Sequence, residues 1–214
     1  MPSRKRYCIR NLYRTRQGYR HFIDTQLKDE WQLEVYLHAL ELMKKHKMTS
    51  VIDIGCGSAY KLLTYLGDYE TIGIELPQTY DWLTEHYPDK KWLLSDFKIG
   101  SELSADLVIC ADVIEHLTDP DELVVFIDDI HFKILVMSTP SRNLLYCPWQ
   151  RGFWGPPRNP SHLREWSFNE FHKYVSTHFD VIEHTITNSS QATQMVVCKP
   201  KRACETGATL ESPR

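Results

Sequence analysis

The sequence predicts an α/β fold: a mostly parallel seven-stranded sheet with an antiparallel last strand and helices on both faces. Three observations predict it. Nearly continuous apolar runs of strand length alternate with helical stretches, the pattern of strands buried on both faces and joined by crossover helices. The last two β-like runs, 179–187 and 194–198, are joined by a polar link too short to hold a helix, so they form a hairpin. The chain has 214 residues, 42% of them hydrophobic and 25% charged, which suits one domain able to bury its own core.

The elements follow in order. Up to His21 there are seven basic residues (Arg4, Lys5, Arg6, Arg10, Arg14, Arg16, Arg20) and no acid; the first is Asp24. Residues 1–23 therefore read as a basic extension, solvated and partly docked and dispensable for chemistry, with a phosphate- or nucleic-acid-binding arm as the alternative. A targeting peptide is a poorer reading, since the segment carries tyrosines and little serine. From 28 to 47 apolar residues recur at helical spacing (Trp31, Val35, Leu37, Leu40, Leu42, Met43), and Lys44, Lys45 and Lys47 suit the helix C-terminus. Strands are expected at 50–54, 71–75, 91–94, 106–110 and 133–138. Residues 140–160, rich in proline, glycine and aromatics, form a long loop of the kind that covers a site. Ser167 and Glu170 form a capping box that opens a helix over 167–176. The domain spans 24–200, and the polar, aperiodic residues 201–214 read as a disordered tail.

Composition narrows the function. A net charge of −3 argues against a dedicated nucleic-acid binder. No apolar run approaches the ~20 residues of a membrane span, and no secretory signal is visible. The six cysteines are scattered without a CxxC pair, so neither a zinc site nor a disulfide framework is indicated. A reduced, cytoplasmic setting is expected. The chain is equally compatible with a monomer or a dimer.

The most specific segment is Val51-Ile52-Asp53-Ile54-Gly55-Cys56-Gly57-Ser58. A strand ends in a glycine turn and a helix follows, so a ligand can approach the backbone with no Cβ in the way. A dinucleotide fingerprint needs glycine where Tyr60 stands. Asp53, two places before the first glycine, fits a cationic ligand better than a pyrophosphate.

Asp53-Ile54-Gly55-Cys56-Gly57 resembles the first motif of the class I S-adenosylmethionine (SAM) dependent methyltransferases, and the resemblance runs over roughly residues 28–200. It implies their Rossmann-like fold and SAM as cofactor, released as S-adenosylhomocysteine. It also implies that the Gly55–Cys56–Gly57 loop lies against the methionine part of SAM. Glu75, ending the second strand with Leu76 beside it, would bind the ribose hydroxyls. Asp96, followed by Phe97, would bind the adenine amino group. Cys110-Ala111-Asp112-Val113-Ile114-Glu115-His116-Leu117 looks like the family's fourth motif, which puts Ala111 and Asp112 at the cofactor. Ala59 stands where many members have a third glycine. The helix carrying Trp31, Gln32, Val35 and Tyr36 either covers the SAM pocket or is plain core.

Asn159-Pro160-Ser161-His162-Leu163-Arg164-Glu165-Trp166 resembles a segment of a subset of glycan and small-molecule O-methyltransferases. His162 is the candidate general base, Glu165 its orienting partner, and Arg164 a ligand for a phosphate or sugar oxygen. Alternatively, His162 and Glu165 only order the loop. Asp112, Glu115 and His116 form a second candidate catalytic cluster. Tyr146, Trp149 and Trp154 suit a stacking surface for a sugar or another ring. Asp128-Asp129-Ile130-His131 precedes the fifth strand, at the end of the sheet where such folds do not bind ligands. Nothing in the spacings demands a metal, and none is expected. The expected function is SAM-dependent O-methylation of a hydroxyl, foremost of a sugar in a glycan or glycoconjugate. The alternatives are a phenolic or quinone acceptor, RNA, or a SAM-binding pseudoenzyme. RNA base methylation is disfavoured because Ala111-Asp112-Val113-Ile114 stands where an amide-binding tetrapeptide would.

Overall fold

In this computed structural model, which describes residues 5–18, 24–28, 31–94, 97 and 102–201, the strands alternate their side chains between two separate cores. From β1 (Ser50–Ile54), Ile52 and Ile54 enter one core while Val51 enters the other; from β4 (Leu107–Ala111), Val108 and Cys110 part in the same way from Leu107, Ile109 and Ala111. That is the period of two that a strand imposes. Its burial on both sides is why the sequence shows continuous apolar runs instead of alternation.

The sheet has seven strands in the order β3-β2-β1-β4-β5-β7-β6, with β2 at Glu70–Glu75, β3 at Lys91–Leu94, β5 at Ile134–Pro140, β6 at Phe179–Asn188 and β7 at Thr193–Pro200. The first five strands pair in parallel, and β7 runs antiparallel to both β5 and β6. Strand order reverses between β1 and β4, and the space beyond their carboxyl ends is the usual ligand position in such sheets.

Helices α1 (Leu33–Lys45), α2 (Tyr60–Leu66) and α3 (Pro77–His86) send Val35, Tyr36, Ala39, Leu62, Leu66 and Leu83 into one core. Helices α4 (Pro120–Asp128) and α6 (Phe168–Val175) send Leu123, Phe126, Phe171 and Tyr174 into the other. A short α5 (Arg142–Leu145) follows β5. The capping box of Ser167 and Glu170 forms as expected. Helix α1 starts later than the periodicity predicts, because Gln32 takes a left-handed backbone (φ 63°) that an α-helix cannot contain. Among the described residues no helix is long and apolar enough to cross a membrane. Cys8, Cys56, Cys110, Cys147 and Cys198 are free thiols.

The basic N-terminal segment is docked in part. Ile9 is only 6% exposed and belongs to the core that holds Trp166, Phe171 and Tyr174. Stacking ties the segment to the domain: the Arg10 guanidinium lies 4.5 Å from the Phe153 ring centre, while Tyr7 and Tyr13 receive Arg164 and Arg142 of the domain, each at 4.7 Å. A count of arginines cannot foresee this, because the guanidinium's flat faces are weakly hydrated and pack on rings. Lys5 makes exposed ion pairs with Asp119 and Asp121, contacts that contribute little. Arg4, Arg20, Cys204 and the tail beyond Lys201 lie outside the described residues.

Candidate active site

The glycine turn after β1 is built from left-handed backbone: Gly55 at φ 72°, Gly57 at φ 56° and Ala59 at φ 54°. A Cβ on Gly55 would stand 2.4 Å from Val113 Cγ2, so the turn and the segment after β4 touch at that glycine. Ala59 holds the same handedness with a methyl group, at a cost of about 1–2 kcal/mol, and is fully buried.

The Gly57 N–H donates to Glu75 Oε1 at 2.6 Å and the Leu76 N–H to Oε2 at 3.0 Å. Each oxygen keeps a lone pair for a further donor. Burial raises the Glu75 pKa and the two N–H donors oppose that rise. The Cys56 sulfur packs against Gly73 and its thiol is pushed well up by burial, so Cys56 has backbone and not thiol chemistry to offer. Asp53 is fully buried and accepts the Tyr36 hydroxyl at 2.8 Å; its other oxygen has no partner. Burial lifts its carboxyl to about 7, against the Tyr36 hydrogen bond and the Lys61 charge. Tyr36 thus ties α1 to the strand leading into the turn. Trp31, expected beside it on the helix, lies just before it, half exposed. Asp96 lies outside the described residues; Phe97 has its ring 5.5 Å from that of Phe126.

Beyond β4 the site is made of side chains. Asp112, in left-handed backbone (φ 54°), accepts Ser138 Oγ at 2.7 Å on one oxygen and Gln32 Nε2 at 3.3 Å on the other. A single 3-10 turn, Ile114–His116, then delivers Glu115 and His116. Glu115 is fully buried. One oxygen accepts Thr139 Oγ1 at 3.0 Å; the other has no hydrogen-bond partner and lies 4.0 Å from His116 Nε2 and 4.0 Å from His162 Nε2.

The two imidazoles are oriented alike. His116 Nδ1 faces the Ser161 carbonyl at 2.8 Å and His162 Nδ1 faces Glu165 Oε1 at 2.8 Å. Both partners only accept, so both Nδ1 atoms carry the proton and a neutral ring presents its lone pair at Nε2. Asn159 Nδ2 donates to that lone pair on His162 at 2.9 Å. The rings stand 5.0 Å apart, edge to face. Burial, then the Asp112 charge, pushes Glu115 up to about 8, with His162 opposing. Burial pulls His116 below its usual range, against the Ser161 carbonyl. A buried carboxylate with a bare oxygen is costly unless a proton or cation joins it.

The structure therefore unites the two catalytic clusters read separately in the sequence: Glu115, His116 and His162 face one another, with Glu165 behind His162. Their three ligand atoms lie within 4.8 Å of one another. Two imidazoles and one carboxylate form a donor set suited to a divalent cation, and Ser161, Glu165 and Thr139 fix the outer atoms as metal sites require. The sequence does not announce this grouping because His162 comes from a distant loop.

Two assignments are corrected. Arg164 is not open to a phosphate or sugar: it is buried, with its Nη atoms donating to the Leu117 and Thr118 carbonyls at 2.6 and 2.8 Å, so it bolts the His162 loop to the segment after β4. Tyr146 is no stacking surface either, being buried with its hydroxyl accepting the Arg158 N–H. Trp149 and Trp154 do face solvent, 82% and 40% exposed. Arg142, unremarked in the sequence, is fully buried and holds the Glu165 carbonyl and the Glu170 carboxylate. Only its place next to a proline-rich loop hinted at it.

No protein-family model matches the sequence, and the curated proteins yield no match. The fold does match solved structures. Streptomyces venezuelae DesVI superposes with a TM-score of 0.62 at 13% identity, over 80% of this chain and 93% of that one. The methyltransferase domain of bacterial CtHen1 gives 0.58 at 20% identity, over 80% and 99%. Magnesium protoporphyrin IX methyltransferase from Synechocystis PCC 6803, with bound S-adenosylhomocysteine, gives 0.58 at 12% identity, over 79% and 84%. With its strand order and antiparallel last hairpin, the chain has the Rossmann-like fold of the class I SAM-dependent methyltransferases.

Proposed function

We propose that the chain is a SAM-dependent O-methyltransferase acting on a hydroxyl, foremost that of a sugar in a glycan or glycoconjugate. One observation carries this reading: the Glu115–His116–His162 cluster follows the carboxyl end of β4, in the segment whose Val113 packs on Gly55 of a glycine turn that donates to Glu75. SAM would lie along Gly55–Gly57 with its ribose at Glu75. Methyl transfer is an in-line displacement, and holding oxygen, methyl and sulfur collinear supplies much of the rate. A sugar hydroxyl also has to lose its proton. His162 Nε2, with Nδ1 anchored on Glu165, is the base for that proton once the hydroxyl displaces the Asn159 amide from its lone pair. Exposed Trp149 and Trp154 offer rings on which a sugar face could stack.

The bare Glu115 oxygen favours a second version of the same chemistry. A divalent cation held by Glu115, His116 and His162 would lower the pKa of a bound hydroxyl. The test is methyl transfer from labelled SAM to glycan, phenolic and RNA pools, with and without a chelator. Label as a methyl ether in glycan, insensitive to chelator, supports the base; loss of label on chelation and its return with manganese supports the cation. Label in RNA alone would overturn the sugar acceptor. One structural neighbour is itself described as a small RNA methyltransferase, whereas this chain's net charge of −3 disfavours that acceptor.

A further inference from the structure

We infer that the N-terminal arm buttresses the loop that carries His162 and that Arg16 is the positioning residue for the two imidazoles of the acceptor site. The inference rests on the assignment of His116 and His162 to that site. The arm and the His162 loop are laced together along their length. The Arg14 N–H donates to the Trp154 carbonyl at 2.9 Å and the Arg16 N–H to the Leu163 carbonyl at 2.8 Å. The Glu165 N–H donates to the Tyr13 hydroxyl at 3.0 Å and Trp166 Nε1 to the Tyr7 carbonyl at 2.9 Å. A loop of this kind needs partners for its backbone groups, and here the arm provides them.

Arg16 does more than cover the loop. Its guanidinium reaches three carbonyls: Nη2 donates to Pro157 at 2.5 Å and Asn159 at 3.4 Å, and Nε to His162 at 3.2 Å. It therefore grips both ends of the turn 159–162. That turn sets both rings. Within it, Asn159 Oδ1 accepts the Ser161 N–H and Asn159 Nδ2 meets His162 Nε2, while the Ser161 carbonyl holds His116 Nδ1. Moving the turn would release the His116 proton from its acceptor and swing His162 away from Glu165. A planar fork with several fixed N–H directions can satisfy three carbonyls at once; an ammonium on a flexible stem cannot. The arm's role is thus the reverse of the dispensable one expected from its charge.

The test uses the full chain with 15N-labelled histidine and compares Arg16→Ala and Arg16→Lys with Lys5→Ala, whose ion pairs lie away from the loop. In the parent protein the two Nδ1 protons, each on a fixed acceptor, give slowly exchanging downfield resonances. Arg16→Ala should broaden or erase both by exchange with water, lower kcat by about 10–100-fold and leave S-adenosylhomocysteine affinity within a few fold. Arg16→Lys should restore little of either readout and, as the milder change, keeps the question open to decision if Arg16→Ala does not fold. Lys5→Ala should alter neither. Both resonances unchanged in a folded Arg16 variant would overturn the inference. Because the resonances need no turnover, they decide Arg16's role even if no acceptor is methylated, an outcome that would count against the proposed function alone.

Discussion

On the β1–β2 side of the sheet, residues 53–76 offer a ligand left-handed glycines, backbone N–H groups and the carboxylate of Glu75 that two of them hold. On the β4–β5 side the polar groups are side chains drawn from the turn after β4, the end of β5 and a distant loop, with an arm from the N-terminus behind them. The first half takes its ligand groups from one strand, its turn and the next strand, with Tyr36 of α1 and residues 24–26 packed against them. The second needs four separate segments to arrive together, and its buried groups depend on one another: Glu115 faces both imidazoles, and Arg164 and Arg142 hold the loop that carries one of them. The contrast teaches that a binding half can be local and rigid while a reacting half is assembled over long range, where one lost contact can displace several atoms.

If the two halves are separable in this way, single substitutions should affect one and spare the other. The largest effect is expected from His162→Ala. It should cut kcat by about 10²–10⁴-fold while S-adenosylhomocysteine affinity, measured by calorimetry, stays nearly unchanged; a parallel fall in affinity would break the division. Glu75→Ala should do the opposite, losing about 1–3 kcal/mol of cofactor binding with both histidine Nδ1 resonances intact.

Gly55→Ala strikes the seam. Its methyl group would meet Val113 at 2.4 Å in left-handed backbone, so the melting temperature should fall and cofactor binding weaken. Val113→Ala on the same chain should recover only the part due to the clash, since the backbone penalty of about 1–2 kcal/mol remains. Full recovery would show that handedness matters little there.

The smallest effect concerns Asp53. Its folded carboxyl is raised to about 7 by burial, so the native state holds a proton that the unfolded chain releases near its ordinary value. Stability from this group is therefore greatest at low pH and declines as pH rises towards about 7. Asp53→Asn, which keeps an acceptor for Tyr36, should remove that decline. The gain in melting temperature should be larger at pH 8 than at pH 5; an equal gain at both would mean that Asp53 is not protonated in the folded state.

Legibility in the sequence follows the same divide. The mostly parallel sheet and the final hairpin could be read because a doubly buried strand must be apolar throughout and a short link excludes a crossover. The glycine turn and Glu75 were legible because their spacing along one βαβ unit fixes their spacing in space. His162 and Glu115 could each be suspected from their own segments, but nothing in either segment says that they meet. Arg164 misled for a physical reason: its charge suggests a solvent-facing anion site, whereas the guanidinium here serves two carbonyls and lies on Tyr7. The arm misled likewise, because Arg10 lies on the Phe153 ring beside the Glu170 carboxylate and Arg16 spends its N–H groups on carbonyls.

The most direct test of a binding half and a reacting half is turnover at saturating SAM, with Glu75→Ala and His162→Ala assayed side by side on one hydroxyl acceptor. The account predicts that raising SAM brings Glu75→Ala back to within a few fold of the parent kcat, while His162→Ala stays about 10²–10⁴-fold down at any SAM concentration. A His162→Ala enzyme rescued by excess SAM, or one that retains the parent kcat, would contradict it.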